Sequence, residues 1–305
     1  MTVSMEVTVA GIKLRNPVFT GVSTPTTGNA KVLIKAASNG VGGLITKTMS
    51  VKPAVVKKPS IFALRFKDPK VPYALLNCEL WDEQPYEYWI NEGIKEAKST
   101  GLPLFASMGY TADDLRTLAP KVEEAGVDAI EFSTHYVTYD PAPLVEIAKA
   151  VKESTSLPTF IKLSPHVKDI EKFVKALEPH VDGFVAINTY GPALHINIER
   201  GKPVLGGIYG WMSGPAIKPI GIRFVADIAK TTDKPVIGVG GITTGEDLIE
   251  YFMAGASAVE VCTAAILYGP KIYGKIVQEA AEWLEKHGYS SINDVKGVAL
   301  EYLKK

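Results

Sequence analysis

The sequence predicts a single (β/α)8 barrel, the TIM-barrel architecture, spanning residues 1–305 with an N-terminal hairpin and loops inserted over its C-terminal face. Short β-branched runs alternate with amphipathic stretches along most of the chain, and eight such runs can be counted. Polar residues gather just after those runs, where the strand ends of a parallel barrel converge on one pocket.

Residues 3–14 alternate loosely around a turn at Gly11 and read as a β-hairpin capping one end of the fold. Residues 16–22 form the first barrel strand, followed by a helix from about 29 to 38 that Asn39 and Gly40 terminate. The second strand, 41–48, runs into Lys47. Residues 49–82 contain Pro53, Pro59, Pro69 and Pro72, too many for a helix, and so constitute an insertion. Asn77 near its end offers a ligand both a donor and an acceptor from a rim or lid.

Regular alternation follows: helix 84–98, strand 103–107, helix 112–125, strand 128–133, helix 141–154, strand 158–163, helix 168–178 and strand 182–188. A glycine-rich second insertion, 189–216, predicts a hairpin over the pocket. The last two strands lie in 235–241 and 255–262, each ending in small residues before a helix. Gly238, Gly240 and Gly241 leave backbone N–H groups unshielded. Together with the turn at Cys262 and Thr263 they make a phosphate clamp of the kind found after the last two strands of such barrels.

Bulk composition excludes several functions. Thirty-three Lys and Arg residues balance 33 Asp and Glu, so no basic field exists to hold nucleic acid or an anionic membrane. No apolar run reaches membrane-spanning length, residues 1–15 lack a signal-peptide pattern, and a cytoplasmic location is expected. Cys78 and Cys262 are the only cysteines, too few for a four-thiolate cluster, so any iron–sulfur cluster belongs to a partner; no metal site is expected in this chain.

Lys47, Ser107, Ser133, Lys162 and Asn188 all stand at or beside C-terminal strand ends. Two lysines there call for an anionic or electron-rich ligand. The residues alone leave open a redox-silent phosphate-binding barrel, an aldolase or isomerase using Lys162 as a Schiff-base amine.

The motifs at Asn16-Pro-Val, Thr46-Lys47-Thr48, Ile161-Lys162-Leu163, Ile187-Asn188-Thr189, Ser213 to Pro219, Gly238 to Ile242 and Val261 to Ala264 narrow the field. In this order, over nearly the whole chain, they resemble the class 1 dihydroorotate dehydrogenase family and the related flavin domain of dihydropyrimidine dehydrogenase. The resemblance implies an FMN-dependent barrel in which Gly21 and Val22 lie against the flavin, Lys47 near its ring and the substrate, Lys162 against the ring's polar edge and Ile187 beneath it. It implies that Ser213 and Gly214, Gly240 and Gly241, and Cys262 and Thr263 hold the ribityl phosphate. Thr48, Ser107 and Ser133 join the cofactor set, and Asn77, Asn188 and Thr189 the substrate set. A lysine beside a flavin's N1/C2 edge stabilises negative charge there. Electron transfer to a subunit bearing FAD and an iron–sulfur cluster, and a homo-oligomeric state, are implied in the same way.

One segment departs from the family pattern. Where the family has Glu-hydrophobic-Asn-hydrophobic-Ser-Cys-Pro, this chain has Glu131-Phe-Ser133-Thr-His135-Tyr136, so the asparagine becomes serine and the cysteine base becomes tyrosine. His135 or Tyr136 is then the expected acid–base. Histidine has a suitable unperturbed pKa, whereas tyrosine, near 10, serves better as a proton donor. Dihydroorotate is therefore one candidate substrate. Another pyrimidine or a conjugated carbonyl compound is the alternative.

Overall fold

The protein is described here by a computed structural model covering residues 3–65, 72–133 and 139–303. Eight parallel strands form its centre: β1 (Val18–Thr20), β2 (Leu44–Ile45), β3 (Leu104–Met108), β4 (Ala129–Ser133), β5 (Thr159–Leu163), β6 (Gly183–Ala186), β7 (Val236–Val239) and β8 (Ala258–Val261). Hydrogen-bonded neighbours run from β2 through β8 and on to β1. The ring closes where Phe19 bridges Gly43, with Gly42 N donating to Val18 O at 2.7 Å and Thr20 N to Gly43 O at 3.2 Å. This is the expected barrel.

Strand composition follows from burial on both faces. β3, β4 and β5 are buried at every position, so they read as near-continuous apolar runs without alternation. The interior is filled by aromatic rings set against glycines. Phe105 packs 4.8 Å from Phe19 and 5.3 Å from Phe160, centroid to centroid. A Cβ at Gly43 would stand 2.2 Å from the Phe19 ring, and one at Gly183 would stand 2.4 Å from the Phe160 ring. Large rings therefore occupy space that only glycine leaves open.

Local signals fix the helices. Asn29, Thr111, Asp169 and Thr244 each accept a backbone N–H at the start of the helix they precede, and Thr244 forms a reciprocal capping box with Asp247. The N-terminal hairpin pairs Val7–Val9 with Ile12–Leu14 around Ala10 and Gly11, both at positive φ, as a tight hairpin turn requires.

Two elements differ from expectation. The run 41–48 pairs in the ladder only at Leu44–Ile45, because Gly42 and Gly43 are spent on barrel closure and Lys47 N turns away to Thr27 O. The helix expected over 84–98 is interrupted by a π turn at Trp89–Gly93. There the fully buried Trp89 donates its indole N–H to Asp82 Oδ2 at 2.7 Å.

The two insertions form one object. Ile61–Arg65 pairs with Pro72–Asn77, which pairs with Gly210–Ser213, which pairs with Tyr190–Ala193, giving a single four-stranded antiparallel sheet. Trp211 stands opposite Asn77 in this register, so the lid is built jointly by segments more than 100 residues apart.

Replacing Phe105 by Ala should remove the ring shared by both aromatic contacts and destabilise the protein by about 3–5 kcal/mol in chemical denaturation. Val55→Ala, at a position 87% exposed, should change stability by less than about 0.5 kcal/mol. Equal effects would contradict this packing.

Candidate active site

A cavity of about 350 Å3 lies between the C-terminal ends of the barrel strands and the lid sheet. That is within the roughly 300–1,000 Å3 of a pocket that holds a small-molecule ligand. Every barrel strand contributes to its wall. Val22 and Ser23 follow β1, Lys47 and Thr48 follow β2, and Tyr110 follows β3. Glu131 and Ser133 come from β4 and Lys162 from β5. The segment 187–189 follows β6, the segment 239–242 includes the end of β7 and its turn, and Glu260, Cys262 and Thr263 come from β8 and beyond. The lid adds Asn77, Trp211 and Ser213.

The deepest charged group is Lys162. Its Nζ donates to Glu260 Oε2 at 2.7 Å and to Glu131 Oε1 at 3.2 Å, with all three side chains buried. Burial would depress the Lys162 pKa, but the charges of Glu131 and Glu260 outweigh it and hold the value above that of an ordinary lysine. Burial, and then the Glu131 charge, push Glu260 well above the ordinary carboxylate range, while Lys162 pulls the other way. Among the described residues Glu131 Oε2 and Glu260 Oε1 have no hydrogen-bond partner. Buried polar atoms rarely stay unpaired, so a ligand that brings donors to this floor is favoured.

Lys47 is buried beside the lid and donates to Leu80 O at 2.8 Å. Burial lowers its pKa below the usual lysine value, and Glu79 leads the charges that draw it back up. Thr48 shares a 3.0 Å hydroxyl contact with Ser107. Asn188 Nδ2 donates to Ser133 Oγ at 3.1 Å, and its Oδ1 accepts the Thr189 N–H at 2.7 Å. Asn77 Nδ2 donates to Trp211 O at 3.1 Å. These contacts hold both asparagines in place at the cavity wall.

The glycine turns meet at one corner. A Cβ on Gly241 would stand 2.8 Å from Gly214 O, and one on Gly214 would stand 3.0 Å from Thr263 Cγ2. Thr263 Oγ1 lies 2.9 Å from Ser213 Oγ. Gly214, Gly240 and Gly241 all have positive φ, which permits these bare turns. Among the described residues neither Gly240 N nor Gly241 N donates to a protein acceptor. The turn after β7 is pinned because Thr243 N, Thr243 Oγ1 and Thr244 N all donate to Asp247 Oδ2, and Tyr251 OH donates to Gly240 O at 2.7 Å. A rigid corner with open N–H groups and two hydroxyls suits a phosphate.

Of the expected cofactor and substrate residues, two do not border the cavity. Gly21 is pressed against Cys262, where a Cβ would come within 2.6 Å of Cys262 Cβ; Val22, next in sequence, does reach the wall. Ser107 is fully buried behind Thr48. Both act one layer back. Burial pushes the Cys262 thiol up to about 11, so it lines the cavity as a neutral group. His135 and Tyr136 lie outside the described residues.

The sequence reading gave no role to Glu260, Glu79, Tyr110 or Trp211, all of which line the cavity, and none to the charge of Glu131. For the two glutamates a signal was present: each interrupts a strand buried on both faces, as in Ala129-Ile-Glu131-Phe and Ala258-Val-Glu260-Val. A charge so placed needs a partner.

A carboxyl whose pKa is raised by folding binds more protons folded than unfolded. Its contribution is therefore lost as pH rises from the ordinary value, about 4.3, through the raised one. Thermal midpoints should show wild type falling relative to Glu260→Gln as pH increases through that window. Parallel curves would contradict the raised Glu260 pKa.

The dihydroorotate dehydrogenase family profile matches residues 4–284. The chain is 37% identical to the dihydroorotate dehydrogenase B (NAD(+)) catalytic subunit of Pyrococcus horikoshii, covering 97% of this chain and 98% of that one. It is 34% identical to the catalytic subunit of the same name from Thermoplasma acidophilum, covering 97% and 99%. With the Geobacter sp. catalytic subunit of that name identity is 33%, covering 97% and 98%. Among the described residues no helix is long and apolar enough to cross a membrane. The chain belongs to the dihydroorotate dehydrogenase family of oxidoreductases.

Proposed function

We propose that this barrel binds FMN and catalyses hydride transfer between that flavin and a CH–CH bond of a dihydropyrimidine such as dihydroorotate. The observation that carries this reading is the meeting, in one cavity, of a buried Lys162 with its two carboxylates, Lys47, and the turns at Gly214, Gly241 and Thr263. FMN, when bound, supplies the hydride acceptor.

The chain's own residues do the rest. Ser213 and Thr263 hydroxyls and the N–H groups of Gly240 and Gly241 would hold the phosphate, and Lys162 would set a fixed positive charge at the polar edge of the ring. Val22, Thr48, Ser133 and Ile187 would complete the walls around it. Asn77, Asn188 and Thr189 would orient the substrate's ring amides. The lid sheet would cover the reacting atoms on one side. His135 or Tyr136 would take or give the proton on the carbon beside the one that exchanges hydride.

Two further features bear on this reading. Lys162, held charged by two carboxylates, makes a poor amine nucleophile, which disfavours a Schiff-base aldolase or isomerase. Relatives named as catalytic subunits of an NAD(+) enzyme support a second subunit as the electron partner, and the family resemblance adds FAD and an iron–sulfur cluster to it. A homo-oligomer in the cytoplasm belongs to the same proposal.

Purified protein should show a flavin absorbance spectrum or acquire one with added FMN. His135→Ala and Tyr136→Phe should retain FMN, while at least one slows anaerobic flavin reduction about a hundredfold, within the range ascribed to general acid–base catalysis. Unchanged reductive and oxidative rates in both variants would reject these residues. A colourless protein that refuses FMN would reject the function.

A further inference from the structure

We infer that Glu79 makes this site selective for a substrate ring that carries no negative charge: an uncharged cyclic amide or ureide in place of a ring bearing a carboxylate. The inference rests on the FMN and dihydropyrimidine reading of the cavity and narrows its substrate class, setting dihydroorotate aside in favour of the other pyrimidines that the altered segment Glu131 to Tyr136 leaves open.

The charges in the wall leave no cation to spare. Among the described residues the cavity is bordered by two ammonium groups, Lys47 and Lys162, and three carboxylates, Glu79, Glu131 and Glu260. Lys162 is committed to both Glu131 and Glu260. Lys47 donates to Leu80 O, and Glu79 is the strongest opposite charge acting on it. A phosphate at the glycine corner would add further negative charge. Among the described residues an incoming ring carboxylate would find only Lys47 available to neutralise it, with Glu79 opposing it. Repulsion between like charges in a partly enclosed site is screened far less than in water.

Glu79 is also anchored. Its Oε2 accepts a short hydrogen bond from Ser23 Oγ, and its Oε1 accepts the Thr24 N–H at 3.2 Å, so two donors from the turn after β1 tie it down. It sits two residues beyond Asn77, at the end of the lid strand Pro72–Asn77. A carboxylate offers about four acceptor sites, and two are used here. Either ring has N–H groups that can satisfy the remaining capacity, but a ring carboxylate facing Glu79 has no proton to offer and meets an acceptor with an acceptor. The same residue thus accepts from both rings and penalises only the one with the carboxylate, which is how a repulsive element separates compounds of similar size.

Uracil and orotate share one ring and differ by the carboxylate, so they separate the two cases as binding probes. Each is titrated into the FMN-loaded protein at pH 8, where a histidine of ordinary pKa is neutral, with flavin-band perturbation and calorimetry as readouts. Uracil should bind at least tenfold more tightly than orotate. Glu79→Gln should tighten orotate about tenfold and change uracil less than about threefold. Glu79→Ala, which removes the charge without adding a donor, should also improve orotate relative to uracil, and it stands in if the glutamine variant does not fold. Orotate binding as tightly as uracil in wild type, or a ratio unmoved by both variants, would overturn the inference. So would binding of neither ring to a protein that holds FMN, an outcome that leaves the flavin reading intact. Failure to hold FMN would sink that reading itself.

Discussion

The site is organised around one buried cation held between two buried carboxylates. Lys162 reaches Glu131 from the neighbouring strand and Glu260 from β8 across the barrel, and the three together form a polar layer above the aromatic packing of Phe19, Phe105 and Phe160. Removing Lys162 would leave two buried acidic groups with no cation between them. The arrangement therefore fixes where the cavity floor lies. Among the described residues it also leaves one oxygen on each glutamate unpaired, which gives the cavity a demand for hydrogen-bond donors.

Around that floor the barrel supplies shape and the insertions supply cover. Each strand end brings a residue or a turn to the same opening, and the two insertions pair into one sheet over it. The two halves of the wall differ in charge. The glycine corner presents backbone N–H groups and hydroxyls suited to an anion, while the side beneath Glu79 and Lys47 presents a charge-balanced face with an excess of acceptors. A cofactor and its reaction partner would meet different electrostatics within one cavity.

Much of this was legible in the sequence. Eight apolar runs separated by helical patterns gave the barrel, because parallel strands buried on both faces cannot be written any other way. Helix starts were readable at Asn29, Thr111 and Thr244 from their capping side chains. The convergence of Lys47, Ser133, Lys162 and Asn188 followed from the geometry of a barrel mouth. What escaped was pairing between distant segments. No local pattern brings 72–77 beside 210–213, since strand pairing is set by tertiary register. Nor does spacing say that Glu260 faces Lys162 across the barrel rather than pointing outward. The setback of Gly21 and Ser107 is of the same kind, a difference of one layer that packing alone decides.

The central claim is that the glycine corner and the charged floor together receive a flavin bearing a phosphate. Comparing the affinities of the apoprotein for FMN and for riboflavin tests it most directly, since the two share a ring and differ only in the phosphate. Charge-assisted hydrogen bonds to that group should make FMN at least a hundredfold tighter. Equal affinity for the two, or preference for riboflavin, would contradict the account.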